Sequence, residues 1–309
     1  MHSRPICIGT RGSPLALRQA GELRDRLAAA HGLDEEAFEI TVISTSGDRI
    51  TDRPLRDAGG KGLFTKEIEE ALIDGRIDLA VHSMKDVPTE LPAGLVIAAM
   101  LPREDVRDAF ISPAAASLKE LPKGAVVGTA SLRRQAQVKR LRGDIMVTSL
   151  RGNVGTRLKK VAEGRIDATL LAAAGLRRLG LEDRITSLIE TGDMLPAVAQ
   201  GAVGMEIREG DARIRDLLAP VSDAGTVARV ACERAFLKVL DGSCRTPIAG
   251  LAELDGGRIR FRGQILRPDG SEDYTAAREG PAGDGEALGR DAAEELKRKA
   301  GPGFFEAMG

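Results

Sequence analysis

Tryptophan is absent from the sequence and tyrosine occurs once. Proteins that hold single-stranded nucleic acid stack its bases on aromatic side chains, so that class is disfavoured at the outset. Cysteine is scarce too. The three present, Cys7, Cys232 and Cys244, are an odd number with neither close pairing nor metal-ligand spacing, which argues against a disulfide framework or a zinc site. No apolar run approaches the roughly 18 residues of a membrane span, and Met1 to Pro5 lack the apolar centre of a signal peptide. The expectation is a cytoplasmic protein with no membrane or nucleic-acid partner and no metal. Charge of one sign is also missing overall: 45 basic residues against 46 acidic give a net charge of -1. No global field therefore recruits a polyanion.

What is present is enough apolar material, 42% of 309 residues, for two or three domains of about 100 residues each. Two local patterns occur twice, in the same order. Ile6-Cys7-Ile8-Gly9-Thr10 and Ala125-Val126-Val127-Gly128-Thr129 each read as a buried strand running into Gly-Thr, a turn with a serine (Ser13, Ser131) and a helix. Ser13 suits a helix cap and Pro14 the first helical position. Gly75-Arg76-Ile77-Asp78 and Gly164-Arg165-Ile166-Asp167 each follow an amphipathic helix and precede an apolar strand. Two related α/β domains with mainly parallel sheets are inferred. Asp193 to Glu209 returns the chain to the first domain. From Ala224 the pattern changes to a helix at about Thr226 to Leu240, strands near Ala249 to Glu253, Arg258 to Leu266 and Asp273 to Arg278, and a last helix near Glu286 to Lys299. This reads as a small α+β domain.

Charge is uneven along the chain. Between Gly128 and Arg178 twelve Lys or Arg face three acids. Arg133 and Arg134 open a helix after Gly128-Thr129-Ala130-Ser131, where guanidinium and backbone N–H groups converge on an anion. Arg151 and Arg157 flank Gly152-Asn153-Val154-Gly155-Thr156, and Arg11 and Arg178 sit in comparable loops after strands, where ligands of open α/β sheets bind. Any one of them is equally well read as solvated surface. Their recurrence points to a ligand with many carboxylates or phosphates. Ser83-Met84-Lys85-Asp86 is by itself readable as a surface ion pair. Gly59-Gly60-Lys61-Gly62-Leu63-Phe64 looks like a glycine-rich lid but lacks the full phosphate-loop pattern, which disfavours ATP. Cys244 lies in the turn-rich Asp241-Gly242-Ser243-Cys244-Arg245-Thr246-Pro247, while Cys7 and Cys232 read as buried small hydrophobes. No histidine near Cys244 supports a cysteine hydrolase.

Together these loops resemble the hydroxymethylbilane synthase, or porphobilinogen deaminase, family. The resemblance rests on the Gly59 to Phe64 segment, Val81-His82-Ser83-Met84-Lys85-Asp86-Val87-Pro88, Leu132-Arg133-Arg134-Gln135 and Leu150 to Leu158. Ser13-Pro14-Leu15-Ala16-Leu17, Arg103-Glu104-Asp105, Ala174-Gly175-Leu176, Gln200-Gly201-Ala202 and the Cys244 loop add to it, so that it runs from about residue 6 to 250.

The resemblance implies two periplasmic-binding-protein-like α/β domains around a cleft and a small α+β C-terminal domain, divided as 1–98 with 198–219, 99–197, and 220–309. It implies a transferase of porphyrin and haem biosynthesis that condenses four porphobilinogen molecules head to tail with loss of ammonia, then releases hydroxymethylbilane by hydrolysis. Growth starts on a covalent dipyrromethane cofactor, a thioether of Cys244. Asp86 is implied as the catalytic carboxylate. Ser83, Lys85, Asp86, Thr129, Ser131, Arg133, Arg134, Arg151, Asn153 and Arg157 are implied to hold the cofactor, and Arg11, Ser13, Lys61, Phe64, Arg151, Arg157, Arg178 and Gln200 the substrate. A monomer is expected. Ala130, Ala199 and Ser243 depart from the family pattern; a positive φ at Ala199 or Ser243 would cost stability. The rival from another class is a non-catalytic anion-binding protein of the periplasmic-binding type, which gives Asp86 and Cys244 no purpose.

Overall fold

The computed structural model describes residues 4–49, 62–240 and 246–306. Strands β1 (Ile6–Thr10), β2 (Phe38–Val42), β3 (Leu79–Ser83) and β4 (Leu95–Met100) come first; β5 (Asp108–Ile111), β6 (Val126–Gly128), β7 (Met146–Thr148), β8 (Ala168–Ala172) and β9 (Ser187–Ile189) follow. Then come β10 (Val203–Arg208), β11 (Ile248–Asp255), β12 (Arg258–Leu266) and β13 (Asp273–Pro281). The chain forms two compact units, Met1–Glu104 with Gly201–Val227, and Asp105–Gln200 with Ala228–Gly309.

The first unit holds a sheet of order β2-β1-β3-β10-β4 and the second one of order β7-β6-β8-β5-β9. In each, four strands share a direction and one runs against them: β10 is antiparallel to β3 and β4, and β5 to β8 and β9. The mainly parallel expectation holds, with one reversed strand in each sheet. The reversed strand is the first to enter its sheet after the chain crosses from the other unit, so no strand–helix–strand crossover fixes its direction.

The duplicated patterns form one structural device. Cys7 N–H donates to Asp78 Oδ2 (2.9 Å) and Asp78 N–H to the Cys7 carbonyl (2.9 Å). In the second unit Val126 N–H donates to Asp167 Oδ2 (2.7 Å) and Asp167 N–H to the Val126 carbonyl (2.9 Å). Gly75 (φ 74°) and Gly164 (φ 67°) supply the left-handed turn that ends the preceding helix. Ile77 and Ile166 then cover the strand glycines so closely that a Cβ on Gly9 would lie 2.3 Å from Ile77 Cδ1, and one on Gly128 2.6 Å from Ile166 Cδ1. The pattern staples the helix-to-strand turn to the neighbouring strand.

Each sheet has its own core: Ile8, Leu23, Leu79, Val203 and Met205 in one; Phe110, Val127, Val138 and Leu170 in the other. Strands β11, β12 and β13 make a separate antiparallel sheet flanked by helices Ala224–Val239 and Gly285–Ala300, close to the expected bounds. There Gly289 lets the two helices touch, since its Cβ would fall 2.1 Å from the Cys232 carbonyl oxygen. Cys232 is buried as expected, whereas Cys7 is only half-buried, a correction that follows from its place at the margin of the cluster formed by Ile68, Leu72 and Ile77. No helix among the described residues is long and apolar enough to cross a membrane.

Candidate active site

In the first unit the candidate residues gather beyond the carboxyl ends of β1, β2 and β3. Ser13 ends the β1 loop as the cap of helix Pro14–His31, its Oγ accepting the Ala16 N–H at 3.2 Å. Arg11, two residues earlier, faces carboxylates on two sides. Its Nε lies 3.2 Å from both oxygens of Asp48 and its Nη2 also donates to Asp48, while Nη1 stands 3.8 Å from Asp86 Oδ2. The Phe64 ring covers the guanidinium face at 4.1 Å. Burial alone would raise the Asp48 pKa, but hydrogen bonds from Arg11 and Thr45 outweigh it and hold the group below the usual carboxylate range.

Asp86 closes the short 3-10 turn Met84–Asp86 after β3, and its side chain keeps 34% of its surface open to solvent. Ser83, at the end of the strand, is tied to Gln19 (2.9 Å), and Lys85 is exposed. Beneath them His82 Nε2 meets Glu206 at 2.9 Å, both buried. Nearby Glu69 has its pKa raised by burial, with the Glu206 charge adding to the effect.

In the second unit the serine turn has the same form. Thr129 Oγ1 accepts the Ser131 N–H (3.1 Å), Ser131 caps helix Leu132–Leu141 at the Arg134 N–H (3.4 Å), and Asn153 caps helix Val154–Ala162 at the Thr156 N–H (2.9 Å). The anion on which Arg133 and Arg134 converge is Asp108, at the head of β5. Arg134 Nη2 lies 2.7 Å from Oδ1 and Arg133 Nη1 2.8 Å from Oδ2, and Asp108 is fully buried. Gln200 Nε2 donates to the same carboxylate at 3.0 Å and to the Val106 carbonyl at 2.7 Å. Burial would raise the Asp108 pKa, yet the two guanidiniums reverse that and hold it far below the carboxylate range. One negative charge against two positive leaves a buried excess of cation, and Arg133 Nε is buried without an acceptor. Arg157 Nε donates to the Gly152 carbonyl (2.9 Å), and Arg151 and Arg178 are half-buried.

The structure therefore brings Arg11, Phe64 and Asp86 together in one unit, and Arg133, Arg134 and Gln200 in the other. Ser83 and Ser13 flank the first group, while Asn153 and Arg157 sit at the start of helix Val154–Ala162. Lys61, Ser243 and Cys244 lie outside the described residues. Sequence reasoning missed Asp48 and Asp108. Thr45-Ser46-Gly47-Asp48 carries an ordinary turn signal and Asp108 an acid heading an apolar strand; the second was the stronger clue, because a buried acid needs a cation.

Comparison with known proteins gives consistent matches over nearly the whole chain. A family model described as "Porphobilinogen deaminase, dipyromethane cofactor binding domain" matches residues 6–216, and "Porphobilinogen deaminase, C-terminal domain" matches residues 227–298. A porphobilinogen deaminase of Paracoccus denitrificans is 61% identical over 302 residues, 98% of this chain and 96% of the relative. One from Nitrobacter hamburgensis is 60% identical over 96% of this chain and 94% of its own. Among solved structures, a periplasmic substrate-binding protein of an ABC transporter from Coxiella burnetii aligns with a TM-score of 0.42 at 14% identity, covering 74% of this chain and 96% of its own.

Proposed function

Because the chain belongs to the porphobilinogen deaminase family, we propose that its own residues divide the work of condensing porphobilinogen head to tail between one accessible carboxylate and two sets of arginines. The protein is a transferase of tetrapyrrole biosynthesis, a hydroxymethylbilane synthase, with a dipyrromethane cofactor. When bound, that cofactor supplies the pyrrole carbon to which the first substrate unit is joined.

The residues fit such a group on two observations. The Asp108 cluster retains an unneutralised guanidinium, and Arg133 Nε is a buried donor without an acceptor. Both suit a ligand carrying several acetate and propionate groups. Thr129, Ser131, Arg133, Arg134, Arg151, Asn153 and Arg157, with Ser83 and Lys85, hold it, and Cys244 is the thioether anchor. Arg11, Ser13, Lys61, Phe64, Arg178 and Gln200, with Arg151 and Arg157, receive the substrate. The segment 220–309, with its own three-stranded sheet, is a third domain that carries the anchor, beside 1–98 with 198–219 and 99–197. The protein works as a cytoplasmic monomer.

Asp86 carries the chemistry. Loss of the amine from porphobilinogen leaves a cationic carbon conjugated to the pyrrole nitrogen, and a carboxylate accepting that N–H stabilises the charge as it develops. The same group then takes part in moving the protons released when the new carbon–carbon bond forms and the ring regains its aromaticity. The observation that carries this role is that Asp86, at the end of the turn after β3, keeps 34% of its side chain exposed and stands 3.8 Å from Arg11, while Asp48 takes the hydrogen bonds of that guanidinium.

Intact-protein mass spectrometry tests the anchor. Protein made in cells that supply porphobilinogen should weigh the chain plus two pyrrole units, and the Cys244→Ser variant should weigh the chain alone. A bare wild-type chain would instead favour a non-catalytic anion-binding protein.

A further inference from the structure

We infer that Asp48 is a positioning residue that holds the Arg11 guanidinium away from Asp86 and so keeps the Asp86 carboxylate open to substrate N–H groups. The inference rests on the role proposed for Asp86 above.

Asp48 is itself firmly placed. It sits in the single turn Ser46–Arg49, where Thr45, fully buried, donates from Oγ1 to Asp48 Oδ2 at 2.7 Å and accepts the Asp48 N–H at 3.1 Å. The turn is built against Phe64: Gly47 N–H donates to the Leu63 carbonyl at 2.7 Å, and a Cβ on Gly47 would lie 2.3 Å from the Phe64 ring. Asp48 and Phe64 therefore form one frame.

That frame fixes the guanidinium on three sides. Nε and Nη2 are spent on Asp48, and the flat face lies on Phe64. Only the Nη1 edge points at Asp86, at 3.8 Å, about 1 Å beyond a charge-assisted N–H···O contact. A guanidinium freed from Asp48 has a ready alternative in a two-pronged pair with Asp86, because a planar fork and a carboxylate match. Such a pair would cover the oxygens that the substrate needs. Asp48 supplies the competing carboxylate that prevents it.

The decisive variant is Asp48→Asn, which keeps size and removes charge. Its kcat for porphobilinogen consumption should fall ten- to a hundredfold, about the range of one displaced hydrogen bond to a charged group, with KM changed far less. A crystal structure of the variant should show Arg11 within hydrogen-bond distance of Asp86. Asp48→Glu, which restores the competing carboxylate, should recover most of the loss. A wild type that does not consume porphobilinogen overturns the functional reading and this inference with it. An active wild type whose Asp48→Asn variant matches its kcat, or keeps the Arg11–Asp86 separation, overturns the inference alone.

Discussion

The two five-stranded units share a skeleton and differ in where each places its acid. Both use Asp to staple the strand after the Gly-Arg-Ile turn, both cap a helix with serine after Gly-Thr, and both place arginine beside that cap, Arg11 before it and Arg133 with Arg134 after it. In the first unit the acid beyond β3, Asp86, stays accessible, with its arginine held 3.8 Å away. After β8, the matching strand of the second unit, the chain runs Ala173-Ala174-Gly175 with no acid; the carboxylate sits on β5, fully buried between two arginines. On the role proposed for Asp86, the same strand-end scaffold serves reactivity when its carboxylate is left unclamped, and charge storage when it is clamped. What separates the two outcomes is burial and the number of guanidiniums, since an ion pair closed away from water is costly to break and little use to a reaction.

The comparison predicts opposite consequences for loss of the two acids. Asp108→Asn leaves two buried guanidiniums uncompensated and should cost about 3–5 kcal/mol of stability, measured by denaturant unfolding. Because the folded-state pKa of Asp108 lies below the unfolded value, its contribution is fully present above the unfolded pKa, about 4, and fades as pH falls below it. The gap between wild type and Asp108→Asn should therefore narrow in acid and stay constant from about pH 5 to 8. Asp86→Asn should do the reverse, lowering turnover by about a hundredfold or more while shifting stability by less than about 1 kcal/mol. Equal stability losses in the two variants would break the distinction.

The shared staple predicts similarity instead. Asp78→Ala and Asp167→Ala should each cost about 1.5–3 kcal/mol, the worth of a hydrogen bond to a charged group. Asp78 should be the more sensitive, because Arg213 also pairs with it at 2.8 Å. Thermal melts of the pair sharpen the comparison, and a negligible loss at one site would mean that the staple matters in one unit only. The smallest effect is expected at Ala199, the non-glycine residue with a positive φ, 60°, among those described. Its N–H is held by the buried carboxylate of Glu233 at 2.6 Å, which keeps the strained conformation in place next to Gln200. Ala199→Gly should gain up to about 1 kcal/mol, the left-handed strain less the entropy of glycine.

Local pattern made much of this legible from sequence. The bounds of Arg258–Leu266 agree to the residue, Ser13 is the helix cap expected, and the repeats mark equivalent turns. Alternation and capping are short-range, so they leave a trace in adjacent residues. Reversal of β5 and β10 leaves none, because strand direction there depends on a chain crossing and not on local composition. The acid partners were equally hidden: Asp48 lies 37 positions from Arg11, and Asp108 lies 26 from Arg134. A run of arginines declares a need for negative charge; which carboxylate meets it is decided by tertiary approach.

The most direct test of the central claim counts the units added by one acid. Purified protein mixed with porphobilinogen and stopped at short times can be weighed intact, so that each condensation appears as one further pyrrole unit on the chain. The account predicts stepwise growth in the wild type and in Cys232→Ala, and an Asp86→Asn protein that carries its two-unit primer but gains nothing over the same interval. Growth of Asp86→Asn at the wild-type pace would contradict it.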